Sequence, residues 1–202
     1  MARYTGPRHK LCRAEGIALC GLPKCPVTKK NAGRPGQHGA RMRRKLSEYG
    51  IQLREKQKVK RIYGILERQF KKYFQTASRK KTATGEALLQ ILESRLDNII
   101  YRLNLAASRP QARQLVAHGH VLVNDRKVTI PSFSVKIGDI IALDTKIASS
   151  PFTQKLNEET KDSVLPDWLE KRATIGKVKS LPNREDIDMD INERLIVEYY
   201  SR

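Results

Sequence analysis

Ser108-Arg109-Pro110-Gln111-Ala112-Arg113-Gln114-Leu115-Val116-Ala117-His118-Gly119-His120-Val121-Leu122-Val123-Asn124-Asp125-Arg126-Lys127-Val128 is the stretch on which the rest of the chain is organised. Its pattern predicts a short helix delivered straight into a β-hairpin. Ser108 suits an N-cap, because its hydroxyl can accept from the free N–H groups of a first turn. Pro110 falls inside that turn, where a missing N–H costs little. Gly119 supplies a left-handed stop. Then the period changes from helix to strand. Val121 and Val123 alternate with His120, Leu122 and Asn124, and a turn at Asn124-Asp125-Arg126 leads into Lys127-Val128-Thr129-Ile130.

The polar residues of this stretch suit a polyanion. Ser108, Arg109 and Arg113 cluster at the helix N-terminus, whose N–H groups and dipole favour phosphate. Gln114, His118 and His120 continue that surface, Arg126 and Lys127 add charge at the hairpin, and Leu115 and Val116 turn toward a core. A small amphipathic helix with solvated arginines fits the local pattern as well.

Charge widens the view. The 202 residues carry 40 Lys and Arg against 21 Asp and Glu, a net of +19, with 39% hydrophobic residues. Residues 1–81 hold 23 of the cations and only four acids, so the rest of the chain is neutral and all the excess lies at the front. A basic block of this size points to nucleic acid. A membrane surface would ask for an apolar stripe or a long hydrophobic run, and none accompanies the charge. Met1-Ala2-Arg3-Tyr4 opens polar, with no signal peptide. Three cysteines, an odd number, argue against a secreted disulfide scaffold and for a cytosol-like compartment or an organelle that makes the protein itself.

Residues 1–46, rich in Gly, Pro, Lys and Arg, read as a basic extended arm, ordered only against its partner. His9, Cys12, Cys20 and Cys25 are spaced H-x2-C-x7-C-x4-C within it. Thiolate and imidazole are zinc ligands, and a coreless segment gains most from a structural metal. Three ordinary thiols and an arm histidine account for the same pattern, since no C-x2-C pair is present. Gly33-Arg34-Pro35-Gly36-Gln37-His38-Gly39 lacks the Walker pattern and is read as backbone that approaches RNA closely. Arg3, Tyr4, Arg8, Arg13, Arg34, Gln37, His38, Arg41, Arg43, Arg44 and Lys45 are the arm's candidate RNA contacts.

Residues 47–77 read as helix, with breaks allowed at Gly50 and Gly64; Val59, Ile62, Leu66, Phe70 and Tyr73 or Phe74 recur at three- and four-residue steps. The opposite face carries Arg54, Lys56, Lys58, Lys60, Arg61, Arg68, Lys71 and Lys72. Self-repulsion along such a face is costly unless an anion answers it, so these are candidate RNA contacts, with Tyr63 a candidate for stacking on bases. Thr84 is read as the cap of a second helix whose stripe is Leu88, Leu89, Leu92, Leu96, Ile99, Ile100 and Leu103. Asp139-Ile140-Ile141-Ala142-Leu143 is a further strand. Residues 146–182 look like a polar connector, with Trp168 a local anchor against the sheet or an RNA platform. Asp190-Ile191-Asn192-Glu193 is a capping-box pattern ahead of a last helix that presents Leu195, Ile196 and Tyr199. No G-x-S-x-G, H-E-x-x-H, Walker or dinucleotide pattern is present, so a binding scaffold is expected, not an enzyme, and no small-molecule substrate.

Arg95-Leu96-Asp97-Asn98-Ile99-Ile100-Tyr101-Arg102-Leu103, Ser108-Arg109, Ala112-Arg113-Gln114-Leu115-Val116, His118-Gly119-His120 and Val123-Asn124 resemble the RNA-binding module of small-subunit ribosomal protein four. Pro35-Gly36-Gln37-His38-Gly39, Gln52 to Lys58, Arg61-Ile62-Tyr63-Gly64 and Leu195 to Ser201 are similar to the rest of that family, bacterial and plastid type. The resemblance implies an α+β fold: a basic arm and helical domain, and a helical hairpin packed on a curled antiparallel sheet. The expected divisions are 1–46, the arm; 47–91 with 183–202, the helical domain; 92–155, the module; and 156–182, the connector. It implies a zinc knuckle at His9, Cys12, Cys20 and Cys25, with His9 in place of a cysteine. It implies binding to small-subunit ribosomal RNA, early assembly, an effect on decoding accuracy and repression of its own message. The implied neighbours are ribosomal protein five and the entering mRNA, on cytoplasmic or plastid ribosomes. A non-ribosomal RNA chaperone or an RNA-modifying protein bearing the same module is the alternative.

Overall fold

A computed structural model describes residues 3–21, 24–28, 33–39, 45–160, 164–187 and 190–201. Among them the helices are α1 (Arg8–Glu15), α2 (Glu48–Ile62), α3 (Glu67–Ser78), α4 (Thr84–Glu93), α5 (Leu96–Arg102), α6 (Arg109–Ala117), α7 (Thr145–Ala148), α8 (Pro151–Glu159) and α9 (Glu193–Ser201). The strands are β1 (Val121–Val123), β2 (Arg126–Lys127), β3 (Ile140–Leu143), β4 (Leu169–Arg172) and β5 (Ile175–Val178). The fold is α+β, as expected. It divides into two units, Met1–Arg79 with Asp190–Arg202, and Lys80–Met189.

In the second unit the helix-to-hairpin reading of 108–128 is correct in outline. Asn124 and Asp125 take φ of 49° and 61°, and Val123 pairs with Arg126, so the hairpin closes on a two-residue type I′ turn. Asp125 adopts the left-handed region without being glycine. Asn124 then ties the hairpin to β3: its Nδ2 donates to Asp139 Oδ1 (2.9 Å) and its Oδ1 accepts from Ile140 N–H (2.9 Å). The antiparallel sheet has the order β2-β1-β3-β5-β4. Residues 156–182, expected as a connector, therefore supply two of its strands. Their inward positions, Leu169 and Val178, join Val121, Val123, Ile141 and Leu143 in a core with Leu96, Ile99, Ile100, Leu103, Ala112 and Val116. Trp168, 2% exposed, belongs to that core and offers RNA no stacking face.

Two capping expectations are corrected. Ser108 makes no side-chain cap; Gln111 Oε1 instead accepts the Ala107 N–H (2.9 Å) ahead of α6. Thr84 is the first residue of α4 and Ala83 holds the cap position. The long stripe from Leu88 to Leu103 breaks at Ser94-Arg95, where Arg95 bridges to Ser134 and the loop carbonyls of Pro131 and Phe133 accept the Asp97 and Leu96 N–H groups. Helix α4, expected with the helical domain, clusters with this second unit.

In the first unit, Ser47 caps α2 through the Gly50 N–H (3.2 Å), and α2 runs through Gly50 unbroken. Gly64, at φ 63°, makes the break between α2 and α3. The arm is not wholly extended: α1 is a helix stopped by Gly16 at φ 76°. Glu15 at its end is gripped by Arg54 (3.4 Å) and Arg61 of α2. Helix α9 packs on α2, with Ile196 buried, Gln52 donating to Glu198 (3.0 Å), and Glu55 Oε1 accepting the Asn192 N–H (3.0 Å).

Around Glu67 these helices share one polar knot. Lys56 and Lys60 pair with its two oxygens (2.8 and 3.0 Å), Tyr200 donates to it (2.8 Å), and Lys56 lies 4.4 Å over the Tyr199 ring. Burial pushes the Glu67 carboxyl up, but the bonds from Lys56, Lys60 and Tyr200 prevail and hold it at about 2, below an ordinary 4.5. A depressed carboxylate stabilises the fold above its unfolded pKa and loses that contribution as pH falls from about 4.5 toward 2. Hydrogen-exchange protection of α9, corrected for intrinsic rates, should therefore fall between pH 5 and pH 3. In Glu67→Gln it should already be reduced at pH 5 and change less over that interval.

Candidate metal centre and nucleic-acid interface

The four arm ligands converge. His9 and Cys12 stand one turn apart on α1, Cys20 lies in the loop that follows, and Cys25 leads into a short 3-10 turn at Pro26–Thr28. One ligand atom from each lies within 4.8 Å of all the others, with Cys20 Sγ 4.0 Å from His9 Nδ1. Tetrahedral zinc at about 2.3 Å from sulfur would place its ligands about 3.8 Å apart, a modest contraction. No disulfide joins the three cysteines, and Cys12 and Cys25 are 1% and 0% exposed. Burial, then the neighbouring Cys20, push the Cys12 thiol up to about 11. A bound divalent cation reverses that, because it supplies the counter-charge that crowded thiolates need. Three thiols and an imidazole are a donor set that fits zinc.

The basic residues fall into two groups that sequence alone does not separate. On α2 most are engaged by the fold. Lys56 and Lys58, expected to face solvent, are buried; Lys58 pairs with Glu55 (3.2 Å) and reaches the Asp190 carbonyl. Lys60 holds Glu67, and Arg54 and Arg61 hold Glu15, with Arg54 also donating to the Ala14 carbonyl (2.9 Å). Tyr63 is 2% exposed and cannot stack on a base. Arg13 braces the arm, donating to the Gly33 and Arg34 carbonyls (2.8 and 3.2 Å), and Arg34 itself is half-buried. Burial corrects the expectation for Lys56, Lys58 and Tyr63, and in the free chain Arg13, Arg54, Lys60 and Arg61 are engaged internally, as struts. Glu15 and Glu67, from the neighbouring helices, and Glu55, three residues from Lys58 on α2 itself, supply the anions for the α2 cations, and backbone carbonyls hold Arg13.

The other group remains open to solvent. Arg68, Lys71 and Lys72 occupy positions i, i+3 and i+4 of α3 and are exposed, and among the described residues no hydrogen bond or ion pair engages their side chains. Arg3, Tyr4, Arg8, Gln37, His38 and Lys45 of the arm are exposed as well; Arg41, Arg43 and Arg44 lie outside the described residues. Arg79, Lys80 and Lys81 are exposed too and were not among the candidates, although a basic triplet just after a basic helix was a readable signal.

In the second unit Gln114 and His118 sit one turn apart and exposed, the His118 and His120 rings are 6.1 Å apart, and the Lys127 side chain lies over Gly119 between them. With exposed Arg126 they form one polar surface across α6 and the hairpin. Ser108 is half-buried beside it. Arg109 and Arg113 stand further in. Arg109 Nε donates to Asn98 Oδ1 (2.8 Å) and its guanidinium lies 4.4 Å over the Tyr101 ring. Arg113 donates twice to Asp97 Oδ2 (3.0 and 2.7 Å), and Arg95 grips the same carboxylate (3.0 and 2.7 Å). Asp97 and Asn98, the residues that hold these arginines, were quoted only as part of a motif.

Two family models match in turn: the ribosomal protein S4/S9 N-terminal domain over residues 3–93, and the S4 domain over residues 94–141. That succession defines a class, ribosomal proteins with an S4 domain behind a helical N-terminal part. The chain is 53% identical to small ribosomal subunit protein uS4 of Ruminiclostridium cellulolyticum and 55% identical to that of Acetivibrio thermocellus, in each case over the whole of both chains. It is 54% identical, again over both full lengths, to small ribosomal subunit protein uS4A of Alkaliphilus metalliredigens. The chain belongs to the uS4 family of small-subunit ribosomal proteins, a structural and non-enzymatic family. Among the described residues no helix is long and apolar enough to cross a membrane.

Proposed function

We propose that this chain is a constituent of the small ribosomal subunit that binds small-subunit ribosomal RNA directly. The observation that supports this best is the set of solvent-facing cations left after the fold has met its own ion pairs: Arg68, Lys71 and Lys72 on α3, and Arg126 and Lys127 beside His118. Lysine and arginine bind RNA by displacing its condensed counterions, which makes the contact strong and salt-dependent. A-form RNA hides its major groove, so basic surfaces of fixed shape select a folded junction instead of a base sequence. On this reading the protein binds early, nucleates assembly, contributes to decoding accuracy, touches ribosomal protein five and lies near the entering mRNA, as a ribosome-associated protein of the cytoplasm. Sedimentation tests it. At low salt the chain should travel with small subunits and resist a moderate salt wash; a chain that stays at the top of the gradient is a free RNA chaperone instead.

The arm's quartet is proposed as a structural zinc site held by His9, Cys12, Cys20 and Cys25. The metal would cross-link α1 to the loop behind it, in a segment where, among the described residues, only Cys12 and Cys25 are buried apolar side chains. Elemental analysis of the purified chain should give one zinc per molecule. Cys25→Ser should lose it, and should lower helical circular dichroism by an amount that fits α1 alone, leaving Trp168 fluorescence unchanged. Zinc-free protein with intact α1 would remove the metal reading.

A further inference from the structure

The three arm sulfurs are close together but unequal. Cys12 lies on α1 and Cys25 at the start of the 3-10 turn, where the Thr28 N–H and hydroxyl both donate to its carbonyl (3.1 and 2.7 Å). Both sulfurs are sealed from solvent, at 1% and 0% exposure. Cys20 is only half-buried. It sits in the loop after α1, where the Leu19 N–H donates to Ile17 O (2.8 Å) and the Gly21 N–H to Ala18 O (3.3 Å). Its sulfur lies within 4.8 Å of the Cys12 sulfur, whereas Cys25 is the residue whose backbone the Thr28 bonds pin. A small oxidant thus meets the Cys20 sulfur first.

We propose that this cluster is an oxidation site for hydroperoxides: Cys20 is attacked first and Cys12 closes a disulfide with it, dismantling the quartet. The dismantling of a metal site, though not the disulfide itself, rests on the zinc reading above. The Cys20 thiolate attacks the peroxide O–O bond, becoming a sulfenic acid and releasing hydroxide. The Cys12 sulfur displaces the sulfenic oxygen as a second hydroxide, and two protons from solvent turn both into water. Two sulfurs give up two electrons, and one hydrogen peroxide is reduced to two waters. Cys25 and His9 alone are too few ligands for a structural zinc site, so the ion leaves. A dithiol reductant reverses the bond by exchange. What the protein loses is the link from α1, which carries the exposed Arg8, to Cys25 and the turn behind it.

The test uses the full chain, with its zinc counted before any oxidant is added, so that failure of the metal reading is recorded separately. Equimolar hydrogen peroxide is then applied, freed zinc is followed with a chromogenic chelator, and cross-links are mapped by mass spectrometry of non-reduced peptides. Zinc release should rise in step with a Cys12–Cys20 cross-link, approaching one ion per peroxide consumed, and dithiothreitol with added zinc should restore the site. Cys25 should accept an alkylating agent only after denaturation. In Cys20→Ser, Cys12 and Cys25 should stay reduced whether or not zinc is held. If the wild-type chain carries no zinc, the same map on the metal-free protein still decides the pairing. A dominant cross-link through Cys25, or oxidation of Cys20→Ser at the wild-type rate, overturns the proposal.

Discussion

Asp97→Ala should cost the Lys80–Met189 unit about 3–5 kcal/mol, the range for breaking a buried ion pair from one side, and this is enough to unfold a domain of ordinary stability. Asp97 is 4% exposed and is the carboxylate on which Arg95 and Arg113 both converge. Arg95 is itself sealed, with 2% of its side chain exposed. Removing the acid leaves two guanidinium charges facing each other in a medium that screens them poorly, and water cannot reach Arg95 to compensate. Arg113→Ala should cost less, because Asp97 keeps Arg95 and the lost cation is the more exposed of the two. Urea titration followed by fluorescence reads this cleanly, since Trp168 is the chain's sole tryptophan and lies in this unit's core. A midpoint shift worth less than about 1 kcal/mol, typical of a solvated surface pair, would show that the network is ornamental. By the same geometry, Arg109→Ala with Arg113→Ala is expected to lower stability as well as RNA affinity, so binding has to be measured on a variant shown to be folded.

The difference between what could and could not be read lies in the range of the interactions. The helix-to-hairpin step at 108–128 was legible because its determinants are local: Gly119 stops the helix at φ 74°, and Asn124-Asp125 turns the chain within two residues. The quartet His9, Cys12, Cys20 and Cys25 was legible as ligand types, and the fold brings the four together. The cations of α2 were not. Lys56 and Lys60 read as a solvated or RNA-facing run because their partner Glu67 lies on the next helix, and Glu15, which holds Arg54 and Arg61, lies on α1. No windowed pattern sees such pairings. The β4–β5 hairpin was hidden for another reason. Its turn passes through Ala173 at φ 52°, a left-handed residue with none of the glycine or asparagine that usually marks one. Its outward side chains, Glu170, Arg172 and Lys177, also give the segment the polarity of a linker.

Once the struts are set aside, the exposed face of α3 is the sharpest handle on RNA. Arg68, Lys71 and Lys72 lie on one side of a helix whose other side buries Phe70, Phe74 and Ala77. Replacing all three by alanine removes charge without touching that core, so helical content and the urea midpoint should hold within a few tenths of a kcal/mol. Each phosphate contact contributes roughly 0.7–0.9 to the slope of log affinity against log salt, so the triple variant should flatten that slope by about 2–3 units. Extrapolated from a 1 M reference, that is roughly a hundred- to five-hundredfold loss of affinity for structured ribosomal RNA near 0.1 M salt. The contrasting variant is Lys56→Ala with Lys60→Ala. It deletes cations that Glu67 already holds, so it should leave the slope nearly unchanged while loosening α9. Filter binding over a salt series separates the two. If the α3 variant keeps its slope and the α2 variant flattens it, the internal pairing of α2 yields to RNA on binding, and the division between struts and contacts drawn from the free chain fails.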